Sequence, residues 1–194
     1  MATQTDLFGA PAPKLPEGLA YQRDFLDGDE ELELLAVMES LPFAPMQYQN
    51  YVALREVVSY GGKYDFARRR LNEADPLPDW LQPLRRKAAH WLGVAPEEFT
   101  QALVSQYKPG TPLGWHRDVP DFEDIVGISL LNDAVMRFRR YPPVEPRKQD
   151  VIKLVLEPRS VYALRGTARW GWQHSVAPTK QLRYSITFRT SRRR

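Results

Sequence analysis

The spacing of apolar side chains changes character near residue 100. Before that point two stretches have helical spacing. The first begins behind Asp27 or Asp29, either of which can cap a helix N-terminus, and carries Leu32, Leu35, Val37 and Leu41 before Pro42 and Pro45 end it. The second runs from about Asp79 to Trp91 and stops at Gly93. A short strand is expected within Leu19 to Leu26. Tyr48 to Tyr60, rich in β-branched and aromatic residues, reads as extended up to the turn at Gly61-Gly62. After residue 100 the runs are short, extended and separated by turn residues. Strands are expected near 102–107, 114–118, 125–132, 134–141, 151–156, 159–164, 168–175 and 182–190. This pattern predicts an α+β chain that is mainly β, a jelly roll braced by N-terminal helices. The length of 194 residues suits one domain. Residues 1–18 are poor in apolar side chains and contain Pro11, Pro13 and Pro16, so a disordered tail is expected there, with a single domain over 19–194.

Composition narrows the chemistry. The chain has no cysteine, which excludes disulfides, zinc–thiolate sites, iron–sulfur clusters and thiol nucleophiles. Any metal must be held by carboxylates and by His90, His116 or His174, the three histidines present. A net charge of +3 owes much to Arg68-Arg69-Arg70, Arg85-Arg86-Lys87 and Arg192-Arg193-Arg194. Such runs are either solvated faces or sites of attraction to phosphate. No apolar run reaches the roughly 18 to 20 residues that span a membrane, and the N-terminus lacks the layout of a signal peptide. A monomeric cytoplasmic protein is therefore expected.

His116 and Asp118 are two residues apart, a spacing that puts both side chains on one face of a strand and turns Trp115 and Arg117 to the other. An imidazole beside a carboxylate supplies two ligands of the facial triad of non-haem Fe(II) oxygenases. His174 is the candidate third ligand, since His90 sits in the expected helix. Three protein ligands leave room on an octahedral iron for a bidentate co-substrate and O2. His-x-Asp alone is also compatible with an ordinary polar pair on a strand.

A second pattern accompanies it. In Arg183-Tyr-Ser-Ile-Thr-Phe-Arg189, Arg183, Ser185, Thr187 and Arg189 share one face, and Tyr184, Ile186 and Phe188 the other. The two arginine Cα atoms should lie about 20 Å apart at roughly 3.3 Å per residue. Inward-reaching side chains leave a gap about the length of a small dicarboxylate, and arginine suits bidentate carboxylate recognition. The plain alternative is an edge strand with two solvated arginines.

Three segments, Tyr107-Lys-Pro-Gly-Thr-Pro-Leu-Gly-Trp-His116-Arg-Asp118, Trp172-Gln-His174-Ser and Arg183 to Arg189, together resemble the AlkB family of Fe(II)- and 2-oxoglutarate-dependent dioxygenases, from about Leu15 to Arg192. The resemblance implies a double-stranded β-helix whose dioxygenase core covers about 98–192, with a substrate lid at about 46–72. Fe(II) would be held by His116, Asp118 and His174. The co-substrate 2-oxoglutarate would be held by Arg183 at its distal carboxylate, with Tyr107 and Ser185 hydrogen-bonding it and Arg189 toward the metal. Ser105 stands where the family prototype has Asn, and joins the candidate contacts. Pro120 stands where the prototype has an acid that addresses the base.

Within the lid, Tyr60, Tyr64 and Phe66 could stack on a flipped base and Arg68 hold a phosphate, with Trp115 a further substrate candidate. The plain alternative is a Gly-rich hairpin whose aromatics pack on the core. Arg137-Phe-Arg-Arg140 is another cationic stretch that reads equally as a solvated strand face. The function implied is oxidative demethylation of N-alkylated nucleic-acid bases, as in alkylated-DNA repair, with release of formaldehyde, succinate and CO2. The alternatives are the same chemistry on RNA, protein or a small molecule, or a nucleic-acid-binding protein that keeps the fold without catalysis. In the tail, Gln4-Thr-Asp-Leu7-Phe8 resembles the bacterial sliding-clamp-binding pentapeptide, which makes the clamp a candidate partner.

Overall fold

The structure is a computed structural model and describes residues 14–47, 52–65, 68, 70–72, 74–143 and 151–192. Phe66 and the Gln4–Phe8 motif lie outside the described residues. The chain forms β1 (Leu19–Gln22), α1 (Gly28–Met38), β2 (Ala44–Gln47), β3 (Val52–Tyr60), β4 (Lys63–Asp65), β5 (Arg70–Asn72), α2 (Gln82–Leu92), β6 (Phe99–Tyr107), β7 (Leu113–His116), β8 (Phe122–Leu130), β9 (Ala134–Arg140), β10 (Ile152–Leu156), β11 (Val161–Leu164), α3 (Gly166–Trp170), β12 (Trp172–Val176) and β13 (Arg183–Ser191). A seven-stranded antiparallel sheet, ordered β1-β11-β8-β13-β6-β3-β2, faces a four-stranded one ordered β10-β9-β12-β7, and β4–β5 is a separate hairpin. This is the expected jelly roll.

Strict alternation along β13 divides the interior into two compartments. Tyr184, Ile186 and Phe188 turn to the helices, where Leu34 and Met38 of α1 and Leu84, Ala88 and Leu92 of α2 bury against them. Each large side chain buried here contributes about 1.5–3 kcal/mol. The opposite face looks toward the smaller sheet, whose Met136, Phe138, Leu154, Leu156 and Trp172 form a second cluster with Phe122 and Ile125. That second compartment contains the candidate site.

Asp27 caps α1 in a capping box with Glu30, and Gly93 ends α2 in the left-handed region at φ 78°. The buried stripe of α1 is Glu31, Leu34 and Met38, whereas Leu32 is 66% exposed. The expected stripe through Leu32 and Val37 is thus rotated. The reason is Glu31, which the helix turns inward so that its carboxylate accepts the Leu131 amide at 2.8 Å and meets Arg159 at 3.5 Å. A polar tertiary anchor overrides the apolar count.

Three boundaries also moved. Pro16 is buried, and Glu17 and Gly18 accept hydrogen bonds from Ala168 and Arg165, so the ordered domain begins before residue 19. Residues 166–170 form α3 instead of opening a strand at 168, with the Gly171 amide closing on the Thr167 carbonyl at 2.8 Å. Part of the expected lid is core: β3 pairs along β6 in the large sheet, and among the described residues only the β4–β5 hairpin stands apart from both sheets.

Candidate functional site

His116 closes β7 and is the cross-strand partner of His174 on β12, with ring centroids 4.2 Å apart. Asp118 lies past the end of β7, so strand alternation does not place it. Two arginines do. Arg189 of β13 directs Nε and Nη2 onto Oδ1 at 2.9 and 2.7 Å. Arg169 of α3, buried beneath the loop, donates Nη2 to the carbonyls of Asp118, Val119 and Phe122 at 3.2, 2.8 and 2.8 Å. With Oδ1 taken, Oδ2 faces His174 Nε2 at 3.5 Å. One ligand atom from each of His116, Asp118 and His174 lies within 4.8 Å of the others.

The electrostatics prepare this trio for a cation. Burial lowers the pKa of both imidazoles, that of His174 to about 3, so they are neutral near pH 7. Burial alone would raise Asp118, but Arg189 and then the neighbouring histidines outweigh it and hold the carboxyl well below the usual range. The His116 Nδ1 lies 2.8 Å from the Gly114 carbonyl. A carbonyl can only accept, so Nδ1 carries the proton and Nε2 keeps its lone pair for a metal. Two neutral imidazoles and an ionised carboxylate fit a divalent iron.

A small cavity, partly open to solvent, lies beside the trio. All four polar-face residues of β13 line it, Arg183, Ser185, Thr187 and Arg189, together with Tyr107, Arg55 and Tyr162. The two arginines are not equivalent. Arg189 is already paired with Asp118. Arg183, 2% exposed, gives Nε to Ser129 Oγ at 3.1 Å and lies over the Tyr107 ring, and its buried Nη1 has no hydrogen-bond partner. A buried guanidinium nitrogen without an acceptor costs free energy unless an anion joins it. The far end of the cavity therefore fits the carboxylate of 2-oxoglutarate. Arg55 and Ser185 hydrogen-bond the Tyr107 hydroxyl; burial raises that phenol, yet Arg55 and Arg183 outweigh it and leave Tyr107 more acidic than usual. Burial, with Asp118 and Tyr107, pushes Tyr162 up to about 12.

Other candidates scatter. Ser105 is buried opposite Ser185 in register but does not line the cavity. Tyr60 packs on the helix-side core, edge-on to Trp80 at 6.3 Å. Tyr64 is half-buried on β4, and Arg68 is exposed and paired with Asp65 at 3.1 Å. Trp115 points to the outer face of the four-stranded sheet, away from the cavity, beneath Arg137 and Arg139 at 5.3 and 4.5 Å. Pro120 is exposed. Sequence reasoning missed Arg55, Tyr162 and Arg169. Arg55 is a lone cation in a β-branched strand, and only the pairing of β3 with β6 brings it to Tyr107. For Tyr162 a signal existed in Gly127, where a Cβ would run into the Tyr162 ring.

Residues 20–189 match the 2OG-Fe(II) oxygenase superfamily. The chain belongs to that superfamily. Within this oxygenase family it is AlkB-like. It is 28% identical to a tRNA (carboxymethyluridine(34)-5-O)-methyltransferase alkbh8 of Xenopus tropicalis, over 87% of this chain and 26% of that protein. It is 29% identical to an alkylated DNA repair protein ALKBH8 homolog of Arabidopsis thaliana, over 91% of this chain and 56% of that protein. The chain thus spans only part of these relatives. A solved structure, that of OsALKBH1, superposes with TM-score 0.71 at 17% identity, covering 93% of this chain and all of that one, which supports the same fold. Members of the oxygenase superfamily use Fe(II), 2-oxoglutarate and O2, the cofactor set that the trio and the arginine-ended cavity fit.

Proposed function

We propose that this oxygenase oxidatively demethylates N-alkylated bases in nucleic acid, releasing formaldehyde, succinate and CO2. The observation that carries the co-substrate half of this reading is the unpartnered Nη1 of Arg183 at the far end of a cavity whose near end is His116, Asp118 and His174. Bound iron with 2-oxoglutarate and O2 supplies the oxidation of a C–H bond. The chain's own residues do the rest: Arg183 and Tyr107 fix the distal carboxylate, Arg189 and Arg169 hold Asp118 in place, and the apolar walls Leu113, Ile125, Met136, Leu156 and Val176 limit water.

The nucleic-acid half draws support from the names of the two relatives above, one acting on tRNA and one an alkylated-DNA repair protein. The tRNA in the frog relative's name favours a second reading in which the strand is RNA. Methylated DNA and RNA oligonucleotides incubated with iron and 2-oxoglutarate test both readings. Loss of one methyl mass with formaldehyde release is expected, and Asp118→Ala should lower succinate formation by more than the 10- to 100-fold typical of losing an outer-shell partner. Succinate formation with no methyl loss from any strand would overturn the substrate assignment; undiminished turnover in Asp118→Ala would overturn the site.

A further inference from the structure

The four-stranded sheet has two faces of opposite character. The inner face carries His116, His174, Met136 and Val176 into the cavity. Alternation then sends Arg137 and Arg139 of β9, Gln173 and Ser175 of β12 and Trp115 of β7 to the outer face, and the register of β10 adds exposed Lys153 opposite Arg137. Two guanidinium groups stack over the Trp115 ring, and their Nε atoms donate to Ser175 Oγ at 3.0 Å and Gln173 Oε1 at 2.8 Å. Next to them Arg117 lies over the Tyr141 ring at 3.7 Å and donates to the Trp170 carbonyl.

All these partners are neutral. Elsewhere on the surface many arginines face carboxylates, as in Arg23–Glu157, Arg165–Asp124 and Arg192–Glu123. Among the described residues, Arg117, Arg137, Arg139 and Lys153 make no ion pair. Neutral hydrogen bonds and ring stacking fix the orientation of the guanidinium groups without cancelling their charge. The result is a pre-oriented row of cations with an aromatic base, on a sheet whose edge strand β7 ends in the metal-ligating His116.

We propose that this outer face anchors the nucleic-acid strand on which the target base lies, holding the phosphates that flank it. The proposal rests on the nucleic-acid reading above and names where that strand runs. Charge complementarity favours a polyphosphate backbone. A single strand suits the face better than a duplex, because its bases are free to turn inward past the β7 edge while its phosphates stay on the row. Arg137, Arg139 and Lys153 hold phosphates, and Trp115 keeps the two arginines aligned.

The test compares the wild-type chain with Arg137→Gln/Arg139→Gln/Lys153→Gln. Binding of unmethylated 15-nucleotide single strands, DNA and RNA in separate arms, is followed by fluorescence anisotropy across a salt series, with heparin as the charge-only control. The variant should bind its strand about 10-fold or more weakly, with a salt slope smaller by roughly 0.7 for each phosphate no longer neutralised. Strand-independent succinate formation and thermal melting should stay at the wild-type level, which separates this effect from misfolding. Unchanged strand affinity and slope would overturn the proposal, as would an equal loss toward heparin, which would mark charge alone. Demethylation of a methylated trinucleotide reports separately on the function. A wild type that demethylates it while strand binding is unmoved in the variant loses only the anchoring face. A wild type that shows variant-sensitive strand binding but no demethylation keeps the face and loses the function.

Discussion

The two ends of the polar face of β13 carry the same residue and do different work. Arg189, next to His116, Asp118 and His174, gives two nitrogens to Asp118 and a third, Nη1, to Gln101 at 2.7 Å. Its charge is spent inside the protein. Arg183 has a serine hydroxyl, an aromatic ring and an unpartnered nitrogen. One end is complete as it stands, and the other keeps a buried nitrogen that an anion could satisfy. A strand can therefore be symmetric in sequence while its ends divide structural and binding roles.

Substitution should expose this division. Arg183→Met removes charge-assisted hydrogen bonds worth about 1.5–3 kcal/mol each, so the KM for 2-oxoglutarate should rise roughly 10- to 150-fold while Mn2+ affinity holds. The ligand-free fold should melt no lower, since an uncompensated buried charge has gone. Equal KM in steady-state assays would show that the anion sits elsewhere. Arg189→Met should do the reverse. Metal affinity, read by Mn2+ titration, should fall about 10- to 100-fold as Asp118 loses its orientation, and the ligand-free protein should lose stability because Asp118 is left buried beside neutral imidazoles. If both variants gave the same pattern, the two ends would be equivalent after all.

Much of this was legible in the sequence. The alternation from Arg183 to Arg189 fixed which face looks into the cavity, because a strand has only two faces. The capped start of α1 at Asp27 and the stop of α2 at Gly93 follow from local backbone chemistry. The different fates of the two arginines were not legible, since the partner of Arg189 lies 71 residues away on a loop that Arg169 ties down. Nor could periodicity foresee that Glu31 would rotate α1, or that Trp115 would face outward under two arginines from another strand. Each of these depends on a neighbour supplied by the fold.

A smaller effect concerns protons. The fold lowers His174 from 6.5 to about 3, so an unfolded chain takes up a proton there that the folded one refuses. The stability this contributes is fully present above about pH 6.5 and is lost as the pH falls toward 3, by at most about 1.4 kcal/mol per pH unit. Urea unfolding of the metal-free protein between pH 7 and pH 5 should show the decline, and His174→Gln should flatten it. An identical slope in the variant would assign the decline to other groups.

The bonds that begin at Asp118 continue beyond Arg189. Gln101 accepts from Arg189 and gives its own amide to the Gly62 carbonyl at 3.3 Å, at the root of the β4–β5 hairpin. Gly61 beside it holds φ 76° against the Thr100 carbonyl, where a side chain would collide. An ion that tightens Asp118 should therefore pull on a tether whose other end is, among the described residues, the hairpin outside both sheets. Occupancy at the centre should then be readable at the periphery: adding Mn2+ should slow amide exchange across Lys63–Asp65 a few-fold, and Gln101→Ala should cut that signal while leaving the ion bound.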